Sequence, residues 1–176
     1  MSLENSTLGS SGFRSFFRCW ILIPLLIIGS DQLTKSLISH KFSLGEIDPI
    51  IPGFFNLTLA HNYGAAFGLF SGLPSGYRET ALLVATLFAI GILIFIARSP
   101  HGKQPLTKLS VSLVLSGAIG NIIDRVYYGY VVDFLDIYIN SYHWPAFNIA
   151  DSAISVGVAI LILFTKSEEP NSEIRN

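Results

Sequence analysis

Charged side chains are scarce in this sequence. Asp, Glu, Lys and Arg together make up 13% of its 176 residues, whereas 51% of the residues are hydrophobic. A soluble globular domain carries about 25% charged residues, so this composition, with a mean hydropathy of +0.54, indicates an integral membrane protein. The formal net charge is only −1, and nothing in it indicates nucleic acid or another polyanion as a partner.

Cysteine is nearly absent, and the motifs of several hydrolase classes are missing. Cys19 is the single cysteine, which excludes an internal disulfide framework and chemistry by a cysteine pair. The histidines are scattered along the chain, at His40, His61, His101 and His143. None stands in the His-Glu-x-x-His spacing of a zinc hydrolase, and no serine stands in a Gly-x-Ser-x-Gly turn. We therefore expect no metal ion and no cofactor.

Four stretches are long and apolar enough to be interpreted as membrane-spanning helices, which need about 20 predominantly apolar residues. They run from about Phe16 to Ile38, Arg78 to Ala97, Leu106 to Ile123 and Phe147 to Thr165. The first is interrupted by Asp31 and Lys35, but no small-residue cleavage site follows it, so we interpret it as a retained helix and not as a signal peptide. The fold class predicted is an all-α integral membrane protein with four transmembrane helices.

The basic residues are distributed unevenly between the two sides of the predicted bundle. The connecting segments 39–77 and 127–146 are poor in Lys and Arg. The helix ends on the other side carry the basic residues Arg14, Arg18, Arg98, Lys103, Lys108 and Lys166. By the positive-inside rule both termini are cytoplasmic, and the two segments that are poor in Lys and Arg face outward. We therefore expect one transmembrane domain over residues 14–166, between polar cytoplasmic tails at 1–13 and 167–176.

The first outward segment is predicted to hold a small extracytoplasmic β structure. Pro52-Gly53 indicates a turn, and apolar and polar residues alternate in the stretch that follows, up to His61. The second outward segment contains Asp136, which we expect to be solvated in a loop.

The polar residues of the predicted helices and their borders fall in one layer, the outer leaflet and its boundary. They are Asp31, Lys35, Asn121, Asp124, Arg125, Asp133, Asn148 and Asp151. Carboxylates near hydrocarbon are costly and indicate a functional site. A proton-coupled transporter needs polar groups near the midplane with access from both sides. The one-sided layer therefore favours a hydrolase that admits water from the outer face, with a non-enzymatic transporter or assembly subunit as the alternative.

Two carboxylates at one depth are sufficient for acid–base hydrolysis of an amide. Neighbouring carboxylates cannot both ionise cheaply, so one activates water while the other, protonated, polarises the carbonyl. Asp133 and Asp151 form the first candidate pair, and a pair that includes Asp124 is the second. A Ser–Lys dyad with Lys35 is the third, although Asp31 one turn away would keep that ammonium charged and therefore a poor base.

Five motifs follow one another along the chain: Asp31-Gln32-x-x-Lys35, His61-Asn62-x-Gly64-Ala65-Ala66-Phe67-Gly68, Gly120-Asn121-x-x-Asp124-Arg125, Val131-Val132-Asp133-Phe134 and Phe147-Asn148-x-Ala150-Asp151-Ser152. In this order they resemble the motifs of the bacterial lipoprotein signal peptidases (signal peptidase II) over about residues 16–165. The resemblance implies an aspartyl endopeptidase of the bacterial inner membrane. Such an enzyme removes the signal peptide of diacylglyceryl-modified prolipoproteins on the amino side of the lipid-modified cysteine.

The resemblance also implies roles for individual residues. Asp133 and Asp151 would be the catalytic pair, near the outer face of the membrane. The pocket around them would be lined or supported by Asn62, Gly64, Asn121, Asp124, Arg125, Asn148 and Ala150, and braced by Asp31 and Lys35. We expect the protein to work as a monomer in contact with membrane lipid, and residues 62–76 to close over the bound substrate.

Overall fold

The structure, a computed structural model, describes residues 18–64, 74–99, 102 and 104–164. A π-helical turn at Arg18–Leu22 leads into the first helix. The elements are α1 (Ile23–Lys41), β1 (Ile47–Ile51), β2 (Phe55–Asn62), α2 (Ser75–Arg98), α3 (Pro105–Tyr128), β3 (Val131–Ile139), β4 (Tyr142–His143) and α4 (Ile149–Phe164). The predicted tails, 1–13 and 167–176, and residues 65–73 of the segment expected to close over substrate lie outside the described residues.

Within the described part of the chain, three helices are long and apolar enough to cross a membrane. They are Trp20–Lys41, Gly76–Arg98 and Pro105–Tyr128. The fourth predicted segment is also helical and apolar, and its described part, α4, has 16 residues. The fold is thus mostly helical, as predicted, with helix boundaries that differ by a few residues.

The third helix extends furthest beyond its predicted end. It continues past Ile123 through Tyr128 and ends at Gly129, whose φ of 77° lies in the left-handed region. Glycine adopts this conformation without steric cost and commonly ends helices. Asp124 and Arg125 therefore lie within the last turns of α3.

Helices α3 and α4 pack against each other closely because small residues line their contact. A Cβ atom added to Gly157 would lie 2.6 Å from Cγ2 of Val114 and 2.8 Å from the carbonyl oxygen of Ser110. A Cβ atom at Gly117 would collide with the carbonyl oxygen of Ala150. Small residues let helix backbones approach closely in membrane proteins. This approach places the C-terminal end of α3 beside the start of α4.

A four-stranded antiparallel sheet, in the order β1-β2-β3-β4, connects to the same ends of the helices. Strand β2 confirms that this segment holds β structure. Strand β3 follows α3 directly and pairs with β2 so that Asp133 lies opposite Ala60. Its apolar side chains Val132 and Phe134 pack against Ile38 and other buried residues of a small core. The sheet therefore holds Asp133 next to the helix ends.

The expectation that Asp136 is solvated in a loop is wrong. Asp136 lies in β3, directly opposite Asn56 of β2, and is only 6% exposed. Its carboxylate accepts a hydrogen bond from Nδ2 of Asn56 at 2.7 Å and contacts Nδ1 of His143 at 2.8 Å. This carboxylate can be buried in the strand because partners from both neighbouring strands reach it.

Candidate active site

Asp133 is held by two asparagine side chains. Strand β3 places it at 2% exposure. Its Oδ1 atom accepts a hydrogen bond from Nδ2 of Asn148 at 2.7 Å, and its Oδ2 atom accepts one from Nδ2 of Asn62 at 2.9 Å. The carbonyl oxygen of the Asn62 side chain accepts the backbone N–H of Gly64 at 2.9 Å, which fixes the direction of that amide.

Asp151 lies in the first turn of α4, where the helix dipole favours a negative charge. Its Oδ1 atom accepts a hydrogen bond from Nδ2 of Asn121 at 2.8 Å. Its backbone N–H donates to Oδ1 of Asn148 at 2.8 Å. Asn148 thus caps the helix with its oxygen while its nitrogen binds Asp133.

The two carboxylates are connected through these asparagines. Nδ2 of Asn148 lies 3.3 Å from Oδ1 of Asn121, so the path runs from Asp133 through Asn148 and Asn121 to Asp151. The same nitrogen of Asn148 lies 3.2 Å from the carbonyl oxygen of Val132. The two aspartates, which lie on a strand and on a helix, therefore belong to one hydrogen-bonded unit.

Burial, and next the negative charge of Asp151, raise the pKa of Asp133 from 3.8 to about 7. The hydrogen bonds from Asn62 and Asn148 act in the opposite direction, because they favour the ionised form. Asp133 therefore exchanges its proton near neutral pH, which suits a group that must act as an acid and as a base in one cycle.

A buried ion cluster supports this unit from α1 and α3. Nζ of Lys35 lies 2.8 Å from Oδ2 of Asp31 and 2.9 Å from Oδ2 of Asp124. All three side chains are at most 4% exposed. The same Nζ atom donates to Oδ1 of Asn121 at 3.1 Å. The ammonium group neutralises one of the two carboxylate charges, and hydrogen bonds from Gln32 and from the backbone N–H groups of Ala150 and Val132 stabilise the remaining one.

The aspartates of the cluster also fix the backbone around the site. Oδ1 of Asp31 accepts the backbone N–H of Ala150 at 2.9 Å. Oδ2 of Asp124 accepts the backbone N–H of Val132 at 3.0 Å. Asp31 of α1 thereby fixes the start of α4, and Asp124 of α3 fixes the start of β3.

Gln32 belongs to the site although the sequence reasoning did not select it. Its Nε2 atom donates to Oδ1 of Asp124 at 2.9 Å and lies 3.2 Å from the carbonyl oxygen of Gly120. Its position inside the first motif, between Asp31 and Lys35, was the available signal. Asp124 has Lys35 as its ion-pair partner, although its neighbour Arg125 was the more obvious one from the sequence.

Arg125 binds backbone carbonyl groups. Its guanidinium donates to the carbonyl oxygen of Gly64 at 3.1 Å and to that of Asn121 at 3.3 Å. It thereby connects the end of β2 to α3. Beside it lies a cavity of about 170 Å³ between α2 and α3, whose lining is mostly apolar and includes Leu82, Ile122 and Val126.

The structure brings all the sequence-predicted site residues into one connected network. They are Asp31, Lys35, Asn62, Gly64, Asn121, Asp124, Arg125, Asp133, Asn148, Ala150 and Asp151. Among the residues that the structure describes, no three His, Cys, Asp or Glu side chains are grouped so that they could hold a metal ion. The arrangement offers paired carboxylates held by amide donors.

Comparison with known proteins gives concordant matches. Residues 23–166 match the family model described as signal peptidase (SPase) II. The lipoprotein signal peptidase of Syntrophotalea carbinolica is 48% identical over 147 residues, which cover 84% of this chain and 90% of that protein. That of Syntrophus aciditrophicus is 45% identical over 138 residues, which cover 78% of this chain and 86% of the relative.

Two solved structures, both described as bacterial membrane enzymes studied by the in meso method, share the fold. One is 34% identical with a TM-score of 0.69, and the match covers 85% of this chain and 92% of the other. The second is 35% identical with a TM-score of 0.71, and covers 85% of this chain and 93% of the other.

Proposed function

The chain belongs to the signal peptidase II family, and on this premise we propose that it is a membrane-embedded aspartyl endopeptidase. Its substrates are diacylglyceryl-modified prolipoproteins, from which it removes the signal peptide on the amino side of the lipid-modified cysteine. The relatives named as lipoprotein signal peptidases support this substrate class. A lipid-modified substrate stays at the membrane interface, and the proposed topology places the polar groups of the site at that depth.

The observation that carries the proposal is the buried unit of Asp133, Asn148, Asn121 and Asp151. Two carboxyl groups coupled in this way hold one proton between them at neutral pH. We place that proton on Asp133, because burial and the charge of Asp151 raise its pKa to about 7. Asp151, which accepts a hydrogen bond from Asn121, is then the base.

The reaction begins when ionised Asp151 takes a proton from a water molecule, and the resulting hydroxide attacks the scissile carbonyl carbon. Protonated Asp133 donates a hydrogen bond to the carbonyl oxygen and stabilises the negative charge that develops there. The tetrahedral intermediate collapses when Asp151 passes the proton that it took from water to the nitrogen of the leaving amine as the C–N bond breaks. Asp151 is then ionised and Asp133 protonated again, so Asp151 acts first as a base and then as an acid in each cycle.

The remaining site residues hold this pair. Asn62, Asn121 and Asn148 donate to the carboxylates, and Arg125 holds the Gly64 backbone beside them. The apolar cavity next to Arg125 offers space for an apolar part of the substrate.

A pair that includes Asp124 is disfavoured, because its oxygens already accept from Lys35, Gln32 and the backbone of Val132. A Ser–Lys dyad is disfavoured as well. Nζ of Lys35 contacts Asp31, Asp124 and the side chain of Asn121, and no serine is among its described partners.

The finer topology is part of the proposal. Helix α4 forms a fourth span of the bacterial inner membrane, both termini are cytoplasmic and the site faces outward. The low Lys and Arg content of the outward segments supports this orientation. The proposed working unit is a monomer.

The test is cleavage of a purified diacylglyceryl-modified prolipoprotein by the purified protein, with folded yield measured in parallel. Asp133→Asn and Asp151→Asn are expected to fold and to lose cleavage. Asp124→Asn is expected to lower mainly the folded yield, because Lys35 loses a buried partner. The matched control is Asp48→Asn, an exposed aspartate of β1, which should cleave normally.

Cleavage by folded Asp133→Asn would remove this pair from consideration and make Asp124 the candidate. A wild-type protein that is folded but does not cleave the lipidated substrate would contradict the enzymatic proposal and favour the transporter or assembly reading.

A further inference from the structure

Asp136 is a buried carboxylate that the proposed mechanism does not use. It lies in the middle of β3 and contacts both neighbouring strands. Oδ2 accepts Nδ2 of Asn56 at 2.7 Å, and the two carboxylate oxygens lie 2.8 Å and 3.0 Å from Nδ1 of His143. A buried charge costs several kcal/mol unless it is compensated, so these partners are what makes its position in the strand tolerable.

His143 is held on a second side by an aromatic ring. Its imidazole stacks on Tyr138 with ring centroids 4.9 Å apart and an angle of 8° between the planes. The hydroxyl of Tyr138 accepts the backbone N–H of Gly53 at 2.7 Å. We call Asn56, Asp136, Tyr138 and His143 the β3 clamp, because together they fix β4 and the turn at Gly53 against β3.

The chain that leaves the clamp leads directly to the catalytic unit. After His143 it returns along β3, where the N–H of Trp144 donates to the carbonyl oxygen of Ile137 at 2.8 Å. The N–H of Phe147 donates to the carbonyl oxygen of Leu135 at 3.0 Å, and the carbonyl oxygen of Phe147 accepts the N–H of Leu135 at 2.8 Å. Asn148 is the next residue. The register of this return segment, residues 142–148, therefore determines where the Asn148 side chain lies.

We propose that Asp136 is a positioning residue of the peptidase: by binding His143 and Asn56 together, it fixes the register of segment 142–148 on β3 and holds the Asn148 amide against Asp133. The part of the test that measures kcat rests on the proposed function. Asp136 does not touch the reacting atoms. It acts through His143, the return segment and Asn148.

Two measurable consequences follow from a loosened clamp. A misplaced Asn148 shifts Asp133 relative to Asp151, and displacements of this kind lower turnover by roughly 10- to 100-fold. KM should change little, because the return segment does not line the apolar cavity between α2 and α3. In addition, the hydrogen bond from Asn148 favours the ionised form of Asp133, so weakening this bond raises the pKa of Asp133 further.

The test uses variants of His143, whose side chain is 47% exposed and therefore tolerant of substitution. His143→Phe keeps a ring on Tyr138 and removes the nitrogen that contacts Asp136. His143→Asn removes the ring but keeps an amide donor near the position of Nδ1. Asp136→Asn removes the charge itself. The control is His40→Phe, an exposed histidine whose Nδ1 contacts only a carbonyl oxygen of its own helix, that of Ser36, among the contacts described.

We expect His143→Phe to lower kcat at least 10-fold with KM unchanged, and His143→Asn to restore most of kcat. In ¹³C-aspartate NMR titrations of the full-length protein in lipid nanodiscs, His143→Phe should raise the pKa of Asp133, while His40→Phe leaves it unchanged. Asp136→Asn should behave like His143→Phe. If it does not fold, the two His143 variants still decide the matter.

Unchanged kcat and an unchanged Asp133 titration in folded His143→Phe would overturn the proposal and reduce the clamp to a stabiliser of the hairpin. If the wild type itself does not cleave, the proposed function fails, but the titration still decides whether Asp136 positions Asn148. A raised Asp133 pKa in His143→Phe would support the positioning role in that case, and an unchanged one would overturn it.

Discussion

Asp133 should make the stability of the folded protein depend on pH, and replacing it with Asn should remove that dependence. The pKa of Asp133 is about 7 in the folded state, against an ordinary value of 3.8. The folded protein therefore binds this proton more tightly than the unfolded chain does. The Asp133 contribution to stability is fully present below about pH 4, falls as the pH rises through the window between these two values, and is lost above pH 7. Ionisation of this carboxyl group costs the folded state about 4 kcal/mol in total.

Asp133→Asn carries no such titration but introduces a local conflict. The new amide N–H2 group faces an N–H2 donor, either that of Asn62 or that of Asn148, and cannot accept from it, whereas either oxygen of the wild-type carboxyl group, protonated or ionised, can accept. An unmade hydrogen bond of this kind costs about 1–3 kcal/mol at every pH. The variant should therefore be less stable than the wild type at pH 4 by about 1–3 kcal/mol, and more stable than it at pH 8 by a similar amount.

The assay is unfolding of wild type and variant in the same lipid or detergent, followed from pH 4 to pH 8. Titration of the groups that do not interact with Asp133 cancels in the difference between the two proteins. Asp48→Asn, on the exposed strand β1, serves as the control and should show a difference that does not change with pH. A pH-independent difference between the wild type and Asp133→Asn would refute the reasoning, because Asp133 would then not hold the proton of the pair near neutrality.

Three further substitutions test other parts of the site. Asp151→Asn should lower the pKa of Asp133 in an NMR titration, because it removes the negative charge that helps to raise it. Lys35→Met should lower stability by about 3–5 kcal/mol, seen as loss of folded yield, because two buried carboxylates lose their counter-ion. Gly120→Ala should destabilise by about 1–3 kcal/mol, since its Cβ would lie 2.8 Å from a carboxylate oxygen of the ion cluster. Gly91→Ala, with nothing within 4 Å, should be neutral in the same unfolding assay.

The helices could be predicted because long apolar stretches leave few other possibilities in a membrane. The end of α3 could not, because Asp124 and Arg125 follow Ile123 and look like the edge of a span. The charges lie inside the helix because Lys35 of α1 and the Gly64 carbonyl bind them. Such partners are distant in sequence, and only the packing of α1 against α3 brings them together.

The site residues could be listed from the motifs, but their pairing could not. The sequence does not say that Asn148 binds Asp133 while its oxygen caps α4. The wrong expectation that Asp136 is solvated in a loop has a similar origin. An aspartate flanked by apolar residues, as Asp136 is by Leu135 and Ile137, is consistent both with a solvated loop and with a buried strand. The partner that decides, Asn56, is 80 positions away in the chain.

The asparagine amides of the site have no rotational ambiguity. Each carbonyl end is occupied by a donor: Gly64 N–H for Asn62, Lys35 Nζ for Asn121 and Asp151 N–H for Asn148. Each N–H2 end is consequently directed at the carboxylate of Asp133 or Asp151. In bulk water the solvent dipoles must reorient whenever a proton moves between two acids. Here the dipoles are oriented before the substrate arrives, so most of that reorganisation is completed during folding and does not add to the barrier of each turnover.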